Sequence, residues 1–185
     1  MREEVAALQA GLAQRVAGGG VRWVRPTQLH LTLVFLGQVR VTVIPALTEA
    51  LRCVGRESSA MQLRAGGWGS FPRGRVPRVL WIGVEGELEA LGRLQERVAV
   101  AVARFAGHRE RNPFSPHLTV GRIQTRRMRV TELASMTALA EGFRAAADWP
   151  VSGIELVQSV SRPAGASYHT LAVIPLGAAA GDIPG

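Results

Sequence analysis

The stretch "TQLHLTLVFLG" (27–37) alternates Leu29, Leu31 and Leu33 with His30 and Thr32, the period-two pattern of a strand with one buried face. Its centre returns in "NPFSPHLTVGR" (112–122), where His117 and Thr119 flank Leu118. Packing accounts for repeated leucines, but not for a repeated His-x-Thr. On a strand, positions i and i+2 face the same way, about 7 Å apart at the usual rise. Each copy therefore sets an imidazole and a hydroxyl on one side and anchors the other in a core. Side by side, two such strands project two imidazoles and two hydroxyls onto one surface. That set suits a phosphodiester. One imidazole takes a proton from the attacking oxygen, the other protonates the leaving oxygen, and the hydroxyls hold non-bridging oxygens. Histidine suits both roles because its ordinary pKa of about 6.5 allows either charge state near neutrality.

Around these stretches the chain reads as α+β. "REEVAALQAGLAQRV" places Val5, Leu8, Leu12 and Val16 at helical spacing, and "VTVIPALTEALRCV" predicts a helix entered near Pro45. "MQLRAGGWGSFPRGRVPRVLWIGVEG" predicts two strands around a Gly/Pro/Arg-rich loop. Leu88, Leu91, Leu94, Val98, Val102 and Phe105 form the clearest helical stripe. After "SPHLTVGRI" come a short helix, "VTELASMTALA", and three predicted strands, "FRAAADW", "VSGIELVQSV" and "YHTLAVIPL". This order predicts largely antiparallel sheets, and the recurrence of the motif suggests two lobes related by a pseudo-twofold.

Composition narrows the chemistry. The 185 residues suffice for one substantial domain. No apolar run approaches the ~18 residues needed to cross a bilayer, and the acidic start is unlike a signal peptide, so a cytoplasmic protein is expected. The net charge of +8 comes from 22 arginines with no lysine, which fits a polyanionic partner and equally a G- and C-rich coding sequence. Asp occurs only at 148 and 182, so a carboxylate-rich di-metal site is not expected and phosphate chemistry should run without metal or other cofactor. Cys53 stands alone and is expected to be a small buried hydrophobe.

The paired motifs, with "WVRPTQLHLTLVFLG", "GGWGSFPRGRVPRVLWIGVE" and "SVSRPAGASYHTLAVIPL", make the chain resemble the two-histidine phosphoesterase superfamily over about residues 3–176. Within it the likeness is to the bacterial and archaeal RNA 2′,3′-cyclic phosphodiesterases, also called 2′–5′ RNA ligases. The resemblance implies one bilobal α+β domain over 1–176, with HxTx motifs at 30–33 and 117–120 across a central basic cleft, and a C-terminal tail over 177–185. It implies hydrolysis of an RNA terminal 2′,3′-cyclic phosphate to a 2′-phosphate, with His30 as proton donor and His117 as proton acceptor. Thr32 and Thr119 match the phosphate-holding threonines, and Arg122 an arginine near the phosphate. The expected partner is RNA bearing that end, bound by a monomer away from any membrane. The family usually opens with a strand such as "RLFVAL", whereas Met1 leads directly into a helix here. Its Arg-Pro-Phe before the second motif is Asn112-Pro113-Phe114 here, with Arg111 one place earlier.

Other residues are read singly. Phe114 and Tyr168 can stack on a base, as aromatics do at unpaired RNA ends. Phe71, Arg73, Arg75 and Arg78 read first as a solvated basic loop, with an RNA backbone as the alternative. "RRMR" (126–129) reads as an exposed turn, His108 and His169 as bystanders, and Trp23, Trp68, Trp81 and Trp149 as core or interface packing. Two other readings remain open: 2′–5′ RNA joining, or cleavage of such bonds or of a small cyclic phosphate, and a catalytically idle module binding RNA ends.

Overall fold

The computed structural model describes residues 1–16, 20–72, 77–107, 113–124, 130–146, 148–162 and 165–177. They form two compact units. The first comprises 1–32, 63–86 and 115–149, and the second 33–62, 87–114 and 150–185. His30, Thr32, His117 and Thr119 all belong to the first unit, instead of one motif to each as the recurrence suggested.

The first unit is built on an antiparallel sheet. The strands of this sheet are β1 (Val21–Trp23), β2 (Met61–Phe71, in this unit from Leu63), β3 (Val79–Gly86), β4 (His117–Ile123) and the edge strand β5 (Trp149–Val151, in this unit only at Trp149), in the order β1-β4-β3-β2-β5. Strict alternation in β3 puts Leu80, Ile82 and Val84 into the core, facing Leu118 and Val120 of β4. Helices α1 (Arg2–Ala13) and α4 (Val130–Ala140) belong to this unit and bring Val5, Leu12, Met136 and Ala140 into burial. Arg64 of β2 donates to Asp148 (2.6 Å), and that carboxylate raises the guanidinium above its ordinary pKa.

Helix α1 ends sooner than its sequence pattern, and its buried set is Val5, Gln9 and Leu12. Gln9 is buried because its Nε2 donates to two carbonyls, Val24 (2.9 Å) and Val120 (2.8 Å), tying the helix to β4 and to the chain just after β1. Gln9→Leu should cost about 1–3 kcal/mol, since it strips both donors from a buried junction. Chemical denaturation reads this directly, and an unchanged midpoint would mean the amide contributes nothing.

The second unit packs α2 (Ile44–Arg56) and α3 (Leu88–Val102) with a two-stranded ribbon, β6 (Gly153–Arg162) and β7 (Gly165–Pro175). Leu47, Leu51, Leu91, Leu94 and Val98 of the helices and Ile154, Leu156 and Ile174 of the ribbon are its buried core residues. Pro45 stands in the first turn of α2 as expected.

Three local expectations fail. Among its described residues before Trp149, "FRAAADW" forms no strand and meets β2 at one isolated bridge, Gly66 to Arg144; β5 begins at Trp149. Cys53 is exposed on α2, where its sulfur accepts from Arg56 (3.0 Å). "QLHLTLVF" is not a continuous strand, for a reason that bears on the site. Arg73, Arg75, His108, Arg111, Asn112, "RRMR" and the tail from 178 lie outside the described residues.

Candidate active site

The first motif follows β1 after a detour. A 3₁₀ turn at Pro26–Gln28 carries the chain off the sheet, and it returns at Leu31, which bridges Leu118 in antiparallel register. Past Thr32 it leaves for the second unit, so the ladder stops at this one bridge. One bridge is enough to set the register. With Leu31 opposite Leu118, His30 stands across from Thr119 and Thr32 across from His117. Residues directly opposite on a sheet face have Cβ atoms about 4.5–5.5 Å apart. Each imidazole therefore has the other motif's hydroxyl as its cross-strand neighbour.

The rings are tethered alike. Nδ1 of His30 lies 2.7 Å from the Gln28 carbonyl oxygen, and Nδ1 of His117 lies 2.7 Å from the Ser115 carbonyl oxygen. A carbonyl only accepts, so each Nδ1 carries a hydrogen and donates it. In the neutral ring Nε2 is then the basic atom, and in the charged ring it is the acidic one. Both tethers run to the residue two places upstream, so each motif supplies its own.

Two aromatic residues share this face. Trp81 is opposite Thr119 in the β3–β4 register and lies flat across Gly69 of β2, where an added Cβ would sit 2.1 Å from the indole. Phe71, the last residue of β2, packs against Trp81 (centroids 5.3 Å) and meets the His117 ring edge to face (5.1 Å, 78°). Trp81 thus belongs to the site face and not to the core, and Phe71 is a wall beside His117 and not part of a solvated loop. The signal for Trp81 was present in "VLWIGV", where it alternates with three apolar neighbours that are buried.

Arg122 reaches the same face by an irregularity. Three residues beyond Thr119, it would point to the core side of a regular strand. In the β3–β4 ladder, however, one step from Trp81 to Leu80 spans two steps from Thr119 to Gly121, so Val120 is bulged. Gly121 then faces the core, where an added Cβ would meet Val21 at 2.7 Å and Trp23 at 3.3 Å. Arg122 turns outward, opposite Val79 on one side and Arg22 on the other. Sequence reading missed Arg22, because β1 shows three residues of pattern and no motif.

The remaining candidates belong to the second unit. Phe114 is half-buried, while Tyr168 lies exposed on β7 opposite Ser159 and His169 exposed opposite Gln158. Among the described residues no group of three or more His, Cys, Asp or Glu is placed to hold a metal ion, and no helix is long and apolar enough to cross a membrane.

The sequence profile of the 2′-5′ RNA ligase superfamily matches residues 2–162. The chain belongs to this superfamily. Among its relatives, the RNA 2′,3′-cyclic phosphodiesterase of Aeropyrum pernix is 32% identical, over 88% of this chain and 91% of the relative. That of Archaeoglobus fulgidus is 34% identical over 83% of each. Among solved structures, a protein of Thermus thermophilus matches with a TM-score of 0.76 at 29% identity, covering 96% of this chain and 93% of that one. E. coli LigT complexed with 3′-AMP matches at 0.71 and 23% identity, covering 95% and 92%, which speaks to the fold alone.

Proposed function

We propose that this superfamily member hydrolyses the terminal 2′,3′-cyclic phosphate of RNA, leaving a 2′-phosphomonoester. The observation that carries the reading is the register around Leu31 and Leu118, which sets both imidazoles and both hydroxyls on one sheet face. The names of the similar phosphodiesterases support the choice of substrate. In the proposed step a water oxygen attacks phosphorus while Nε2 of His117 takes its proton. The bond from phosphorus to the 3′ oxygen breaks, and Nε2 of His30 protonates that oxygen. Thr32 and Thr119 donate to the non-bridging oxygens, where charge builds, and Arg122 adds positive charge on the same face. Water supplies the oxygen and the rings carry the protons, so no redox or group-transfer cofactor enters. All four motif residues come from one chain, in keeping with a monomer, and an RNA substrate is in keeping with the cytoplasm. A base stacked on Phe114 or Tyr168 remains part of the proposal.

An oligoribonucleotide ending in 2′,3′-cyclic phosphate tests the reading. The product should keep its phosphate on the 2′ hydroxyl, and turnover should persist in EDTA. A 3′-phosphate product would reverse the assignment of leaving oxygen, and loss of turnover with chelator would overturn the metal-free mechanism.

A further inference from the structure

On β1 and β4, Arg22 and Arg122 stand directly opposite each other on the face that bears His117 and Thr119. Like charges in that relation are destabilising. Both side chains are exposed, and among the described residues neither forms an ion pair or a side-chain hydrogen bond. The bulge at Val120 places this pair on the site face, because in a regular strand Arg122, and Arg22 with it, would turn to the other side. An anion shared by both guanidinium groups reconciles the pairing, since each offers a planar fork matched to phosphate oxygens. Along β4 the bulge leaves Arg122 about two sheet positions beyond Thr119, roughly 7 Å at the usual rise. That is too far for the pair to be centred on the phosphate held by the threonines, which leaves a neighbouring phosphate of the same RNA strand as the anion the pair can share.

We propose that Arg22, with Arg122, binds the phosphodiester immediately upstream of the terminal phosphate, and so makes the enzyme prefer an RNA chain to a mononucleotide. This rests on the RNA-end reading above, so the test keeps the two apart. Wild type and Arg22→Gln are assayed on a mononucleoside 2′,3′-cyclic phosphate and on a short oligoribonucleotide with the same end. The ratio of kcat/KM between oligonucleotide and mononucleotide should fall about tenfold in the variant, mainly through KM, and the salt slope for the oligonucleotide should flatten by ~0.7. Arg22→Lys should recover part of the preference. An unchanged ratio, or an equal loss on both substrates, would overturn the assignment. If wild type turned over neither substrate, the functional reading would fall, and binding would decide Arg22 by itself. A fluorescent oligoribonucleotide carrying a 2′-phosphate end should then bind Arg22→Gln about tenfold more weakly than wild type, and equal affinity would overturn the proposal.

Discussion

His117→Ala is expected to lower kcat by ~10²–10⁴, and His30→Ala by a similar factor, the usual worth of one positioned acid or base. The fold should tolerate both changes. His30 is exposed and His117 half-buried; each Nδ1 is tethered to the carbonyl two residues upstream, and the His117 ring also packs on Phe71, itself on the site face. A thermal melt within a few degrees of wild type separates lost chemistry from lost structure. The double variant should be little worse than the worse single one, because the two rings act as a unit in one displacement and losses within such a unit do not multiply. Single-turnover rates on an RNA with a cyclic phosphate end give the measurement. Either single variant within a few-fold of wild type would remove that ring from the mechanism.

Thr119→Val and Thr32→Val should each lower kcat by ~10², the scale of losing one hydrogen bond to a developing oxyanion. Valine keeps the branched shape while removing the hydroxyl, so the loss reports the donor and not a cavity. The contrast with serine sharpens the test: Thr119→Ser and Thr32→Ser keep the oxygen and should retain most of the rate. If the serine and valine variants were equally active, the hydroxyls would have no part in stabilising charge. Thr119 has Trp81 across the ladder, so its serine variant should lose somewhat more than that of Thr32 through looser packing.

The parts of the site that repeat or alternate were legible in the sequence. His30, Thr32, His117 and Thr119 stood out because the pattern occurs twice, and "MQLRAGGWGSFPRGRVPRVLWIGVEG" read as the two strands that β2 and β3 form. Arg122 could be suggested only by resemblance, since period-two counting puts it on the wrong side and nothing in "TVGR" announces a bulge. Gln9 was missed because a polar residue on an amphipathic helix reads as solvated, while its two carbonyl partners come from distant chain positions. Arg22 was missed because its significance lies wholly in what stands opposite it. "QLHLTLVF" has strand chemistry throughout but changes units after Thr32, and a ladder cannot follow a chain that has left its sheet. The small alanines of "FRAAADW" impose no pairing of their own, and among the described residues before Trp149 one isolated bridge forms.

The two imidazoles hang from matching anchors, so the tethers by themselves do not make either ring the permanent giver or taker. Their labels follow from which ester oxygen of the bound phosphate lies beside which ring. A substrate seated the other way round would be handled with the parts exchanged, and the joining of two RNA ends needs only a 5′ hydroxyl in place of the attacking water, with the bond to the 3′ oxygen breaking as before. Directionality in such a site is a property of how the nucleic acid is seated and of how much water reaches it.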